Sequence, residues 1–159
     1  MAKKKVKTKA VAEESGTTQL KIEKIYLKDM SFEVPNSPKI FTAKVDPEVK
    51  FNIATKHKQI GPENFEVVLS TTLQATHDED VAFLAEVQQA GIFTIKGVPE
   101  NAMDQLLDVY CPGVLYPYAR EAISEIVQKG GFPQLLLQPV NFEALNRAKE
   151  AGTESGDTA

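Results

Sequence analysis

Cys111 to Leu145 reads CPGVLYPYAREAISEIVQKGGFPQLLLQPVNFEAL, a helix, an apolar loop and the start of a second helix in succession. From Tyr118 the apolar residues Ala119, Ala122, Ile123, Ile126 and Val127 follow i, i+3, i+4 spacing, and Arg120, Glu121, Ser124, Glu125, Gln128 and Lys129 take the opposite side, so an amphipathic helix is predicted. Pro117 suits its first turn, Glu125 and Lys129 form a well-oriented i, i+4 pair, and Gly130-Gly131 supplies a left-handed residue that ends it.

The connection after that helix, Phe132-Pro133-Gln134-Leu135-Leu136-Leu137-Gln138-Pro139-Val140, has the prolines of a loop and the hydrophobicity of a strand. Loops run over the surface, and exposed apolar patches mark interaction sites, so one reading presents Phe132, the leucines and Val140 to another chain. The other folds the loop back as core or as a short edge strand. Asn141 then caps a short helix from Phe142 to about Lys149, with Phe142 and Leu145 on one face.

Upstream, period-two alternation predicts four strands. Gln19 to Val34 changes apolar phase from Leu20/Ile22 to Ile25/Leu27 and then to Met30/Phe32/Val34, which requires a bulge near Glu23-Lys24 and turns Asp29, Ser31 and Glu33 outward. After a loop over Lys39 to Pro47, Val49, Phe51 and Ile53 alternate with Lys50 and Asn52. Phe65 to Ala75 follows, and His77-Asp78-Glu79-Asp80 makes a hairpin turn into Val81 to Lys96. There Val81, Phe83, Ala85 and Val87 share a face opposite Ala82, Leu84, Glu86 and Gln88, and Gly91 is read as a bend. Asn101 and Asp104 are read as the cap of a helix through Met103, Leu106 and Leu107 to Cys111, which Pro112 and Pro117 should kink or break. The sum is α+β: a four-stranded antiparallel sheet with two C-terminal helical regions packed on one face. Phe83, Ala85 and Val87 are too apolar for water, so either the long helix or a second copy must cover them.

The 159 residues suffice for one domain with its own core. Residues 1–18 and 151–159 are read as disordered tails around a single domain over 19–150. One cysteine, Cys111, excludes an internal disulfide and suits a reducing cytoplasm, and neither a membrane span nor a secretory leader is read. The first ten residues hold five lysines and no acid. The other 149 carry 13 of the 18 basic and all 22 acidic residues, a formal −9 against −4 for the whole, which favours a basic partner surface over nucleic acid. Nothing in the motifs points to catalysis, a metal or a cofactor: His57 and His77 stand alone in strand-end or turn positions, the His77 to Asp80 turn is too short to wrap a cation, and Glu121 and Glu125 lie on the polar helix side.

The runs CPGVLYPYARE, GGFPQLLLQPVNFEAL and, upstream, IYLKDMSFEVPNSP and FLAEVQQAGIFTIKG are similar to those of SecB, the bacterial export chaperone, stand in that family's order, and extend the resemblance over about Leu20 to Leu145. The resemblance implies a homotetramer, a dimer of dimers with long helices between two sheets. It would hold unfolded precursor proteins for the export ATPase SecA and consume no nucleotide itself. Carried over by position, a peptide groove falls on Val49, Phe51, Ile53, Leu135, Leu137, Phe142 and Leu145, and the SecA contact on Asp29, Glu33, Leu84 and Glu86. Phe83, Ala85, Val87 and Gln89 fall where assembly is sensitive to substitution. Val45 and Asn146-Arg147 depart from the family's larger apolar residues and imply a shallower groove at those ends. Two rival readings stand beside this one: a SecB-like chaperone dedicated to one partner such as an antitoxin, and a small oligomeric enzyme whose apolar loop lines a pocket.

Overall fold

Four alternating segments become the strands β1 (Gln19–Glu33), β2 (Glu48–Gln59), β3 (Asn64–His77) and β4 (Asp80–Lys96), followed by helices α1 (Glu100–Gln105), α2 (Cys111–Lys129) and α3 (Phe142–Glu154). The computed structural model describes residues 18–154, so the lysine-rich segment before Thr18 and the last five residues lie outside the described residues. All strands pair antiparallel in the order β1-β4-β3-β2, which leaves β1 and β2 as the two edges.

The phase changes along β1 are two bulges. The register skips Glu23 and again Lys28, and each extra residue returns the next apolar pair to the helix side of the sheet. Only the first was expected from the sequence. Leu20, Ile25 and Phe32 pack against the core, whereas Ile22, Leu27 and Met30 stay exposed along this edge. A third bulge lies in β4: Ala75 pairs with Phe83 but Thr76 with Val81, so Ala82 is the extra residue and Val81 leaves the face it was expected to share with Phe83. The hairpin turn is as read, two residues between His77 and Asp80, with Asp78 at φ 55°.

Phe65, Val67, Leu69, Thr71 and Leu73 of β3 and Phe83, Ala85, Val87, Gln89 and Phe93 of β4 are buried on one face, against Leu115, Ala119, Ile123 and Val127 of α2. Gly91 is no bend. Its strand keeps register, and a Cβ there would lie 2.8 Å from the Phe93 ring and 3.1 Å from Leu115 Cδ2, so glycine is what lets α2 approach the sheet. Thr71 Oγ1 is buried without a hydrogen-bond partner among the described residues. Thr71→Val keeps the shape and removes the unpaired hydroxyl, so it should raise stability by about 1 kcal/mol in denaturant titration; a fall of similar size would show that the hydroxyl is satisfied.

The prolines do not break the helix. Helical structure is continuous from Glu100 to Lys129 through a π-helical turn, Leu106–Tyr110, and Cys111 N–H reaches back to the Leu106 carbonyl. That wider turn puts Pro112 at the start of α2, where an absent N–H is tolerated, while Pro117 sits inside the helix rather than in its first turn. An interior proline costs about 3 kcal/mol, and burying Leu115, Ile123 and Val127 at about 1.5–3 kcal/mol each outweighs it. The expected cap at Asn101 and Asp104 is not used: α1 follows Pro99, whose carbonyl accepts from Ala102 N–H at 2.9 Å. Gly131, at φ 92°, ends α2 as expected. Ser124, read as polar surface, is buried and accepts from Gln134 Nε2 at 3.1 Å.

Candidate functional site

The loop after α2 satisfies both readings of it at once, because its side chains alternate. Phe132 is buried against Phe83, Phe32 and Phe41, with ring centroids at 4.9, 6.4 and 5.2 Å, and Leu135, Leu137 and Val140 are half-buried against the core. Leu136 points to solvent. The Tyr116 hydroxyl donates to the Gln138 carbonyl and ties the loop to α2. Asn141 then caps α3 as read, its Oδ1 accepting from Ala144 N–H at 3.0 Å, but the helix continues to Glu154, into residues assigned to the tail.

Loop and α3 together form one wall of a groove whose other wall is β2. Val49, Phe51, Ile53, Thr55 and His57 share a phase in the β2–β3 register, opposite Ala75, Leu73, Thr71, Leu69 and Val67, and so face the helix side. One section of the groove, about 480 Å³, lies between Phe51 and Ile53 on β2 and Pro139, Val140, Ala144 and Leu145. A second of about 140 Å³ continues from Ile53 and Leu145 to Phe142, Asn146 and Asp108. Phe51 and Leu145 remain 39% and 42% exposed, so apolar surface lines an open furrow.

Four of the seven groove residues named from the sequence therefore line it: Phe51, Ile53, Phe142 and Leu145. Phe142 contributes from beneath, 7% exposed and edge-on to Tyr116 at 5.9 Å. Val49 lies two residues before Phe51 on the same face of β2, and Leu135 and Leu137 are half-buried against the core. Val140, expected among the loop residues presented to another chain, joins them, and sequence reasoning missed Thr55 and Asp108. The parity of β2 could have found Thr55; no local signal brings Asp108, in the π-helical turn, opposite it. His57 Nε2 stands 3.3 Å from Asp108 Oδ1 and bridges β2 to that turn.

The opposite sheet face carries the other named set. Glu33 pairs with Leu84, Ser31 with Glu86 and Asp29 with Gln88, so Asp29, Glu33, Leu84 and Glu86 lie together on the side the helices leave open. Phe83, Ala85, Val87 and Gln89 are instead buried beneath α2 within a single chain, Gln89 donating from Nε2 to the Tyr26 carbonyl at 3.1 Å. Of the two covers expected for that apolar strip, the helix supplies it within the single chain.

Among the described residues no group of His, Cys, Asp and Glu could hold a metal ion, and no helix is long and apolar enough to cross a membrane. Burial pushes the Cys111 thiol up to about 12, so it is held as a thiol in the core. Glu125 pairs with Lys129 at 2.8 Å on the solvated side of α2, and that hydrogen bond lowers its carboxyl pKa.

The chain matches the family model described as preprotein translocase subunit SecB over residues 13–152. It is 54% identical to the protein-export protein SecB of Methylococcus capsulatus over 127 residues, 80% of this chain and 82% of that one. With the protein of the same name from Pseudomonas savastanoi pv. phaseolicola it shares 46% over 148 residues, 90% and 91% of the two chains. A SecB-like chaperone of Mycobacterium tuberculosis, solved with a ChAD peptide from the HigA1 antitoxin, shares the fold at a TM-score of 0.58 and 20% identity, covering 76% of this chain and 87% of that one. With the sheet order, the proline-bearing long helix and the furrow beside β2 in place, the chain belongs to the SecB family of protein-export chaperones.

Proposed function

We propose that the protein is an ATP-independent holdase that binds unfolded precursor proteins in the β2–α3 groove, keeps them competent for translocation and delivers them to SecA in the cytoplasm. The observation that carries this reading is the open furrow lined by Phe51, Ile53, Val140 and Leu145 in a SecB-family chain. Covering roughly 400 Å² of apolar peptide surface gains about 10 kcal/mol gross at 25 cal/mol per Å², and most of that is spent ordering the peptide. A single groove therefore binds weakly.

Assembly as a dimer of dimers supplies the rest. Several grooves on one particle engage successive segments of the same unfolded chain, and effective concentration turns weak contacts into tight, releasable holding. The exposed Ile22, Leu27 and Met30 along edge strand β1 and Tyr118 on the outer side of α2 are apolar surface that further copies would cover. Folded proteins offer no extended apolar segment, so selection follows folding rate.

Asp29, Glu33, Leu84 and Glu86 form the SecA-docking strip in this reading: acidic charge steers a basic partner, and one leucine adds an apolar contact. The test is direct. An unfolded precursor should bind and its folded form should not, and reversing Asp29, Glu33 and Glu86 to lysine should weaken SecA binding roughly tenfold or more with precursor binding unchanged. Equal binding of both precursor forms, or recovery of one small protein in place of many precursors, would count against the export reading.

A further inference from the structure

The open sheet face is acidic at one end only. Beyond Gln88 it holds a depression of about 320 Å³ where Lys28, Lys56 and Lys58 surround a single carboxylate, Glu66, with Ser70 and Gln88 in the lining. The register builds it. Lys56 and Lys58 of β2 pair with Val68 and Glu66 of β3, and Tyr26 of β1 pairs with Ala90, whose small side chain lets Tyr26 and Lys28 reach across β4.

Glu66 is already occupied. Lys28 Nζ donates to its Oε1 at 2.8 Å and the Tyr26 hydroxyl to its Oε2, and these two hydrogen bonds, Lys28 first, hold the carboxyl below its ordinary range. Lys58 stands farther off, at 3.8 Å, and Lys56 enters no ion pair among the described residues. The three lysines thus outnumber the one carboxylate by two charges, in a depression that also offers the Ser70 hydroxyl and the Gln88 amide, one N–H of which donates to Glu86 Oε1 at 3.4 Å and the other of which is a further neutral donor. Such a cluster on an otherwise acidic body is complementary to carboxylates spaced along an extended chain.

We propose that this pocket binds an acidic peptide segment of a partner polypeptide. Gln88 is opposed by Ser70 on one side and by Asp29 on the other, so the pocket adjoins the acidic strip. A partner with a basic patch followed by an acidic one can then sit on the sheet in a single direction. That orienting role rests on the docking reading above, whereas the pocket does not, and a free peptide tests the pocket alone.

The probe is fluorescently labelled hexaglutamate, added to the full chain at low salt and followed by anisotropy. Binding is expected, with Lys56→Glu plus Lys58→Glu weakening it roughly tenfold or more, Lys56→Gln plus Lys58→Gln less, and glutamine at Lys3, Lys4, Lys5, Lys7 and Lys9 changing it by less than about twofold. Lys56 and Lys58 are both exposed, so these variants should fold, which circular dichroism checks. Absence of binding, indifference to the pocket variants, or dependence on the tail lysines overturns the proposal. So does peptide-induced halving of the native mass, which would assign this face to a second copy.

Discussion

Phe83→Ala should cost about 3–5 kcal/mol and lower Tm by roughly 10 °C or more, the largest single-site loss expected in this chain. Phe83 is 2% exposed, stacks on Phe32 at 5.4 Å and meets Phe132 at 4.9 Å. Truncation empties the centre of that cluster, and rings fixed by the sheet and by Gly131 cannot close the gap. Domains of this size are stable by only about 5–15 kcal/mol, so the variant is marginal. The site also separates two explanations of assembly. If Phe83 acts through the protomer, thermal unfolding and loss of native mass shift together. If it were itself a contact between copies, the mass would fall with the protomer's melting unchanged.

Phe51→Asp combined with Leu145→Asp should abolish useful holding. Each side chain presents apolar surface to the furrow from opposite walls, and each is worth about 1.5–3 kcal/mol if a bound peptide covers it, or roughly ten- to a hundredfold in affinity. In the proposed dimer of dimers, several grooves on one particle would multiply the loss, because every tethered contact weakens together. Both residues are more than a third exposed, so the fold should survive. Titration with an unfolded precursor checks this, and Leu84→Asp on the far sheet face serves as the control expected to bind normally.

How much of this was legible depends on whether a periodic element carried the signal. The faces of β2 and β3 followed from alternation alone, and the phase shifts of β1 located its first bulge. The bulge at Ala82 left no such trace, since Val81, Ala82 and Phe83 are all apolar and any of them could face inward. Pro112 and Pro117 looked like helix breakers because the burial that outweighs them is tertiary. The groove was half legible for the same reason. Phe51, Ile53, Phe142 and Leu145 sit on regular elements, whereas Leu135, Leu136 and Leu137 lie in a loop, where only the packing of Phe132 and the Tyr116 bond to Gln138 decide which leucines turn inward. The end of α3 was misjudged because Ala151, Gly152, Thr153 and Glu154 have tail composition, yet they extend a helix already nucleated at Asn141.

The most direct measurement places a photo-crosslinking side chain at Leu145, and separately at Leu84 on the opposite sheet face, and irradiates each protein with an unfolded precursor. Crosslinks from Leu145, absent when the precursor is folded and absent from Leu84 under both conditions, are the predicted result. Capture from Leu84 with none from Leu145 would place the precursor on the wrong side of the sheet and contradict the account.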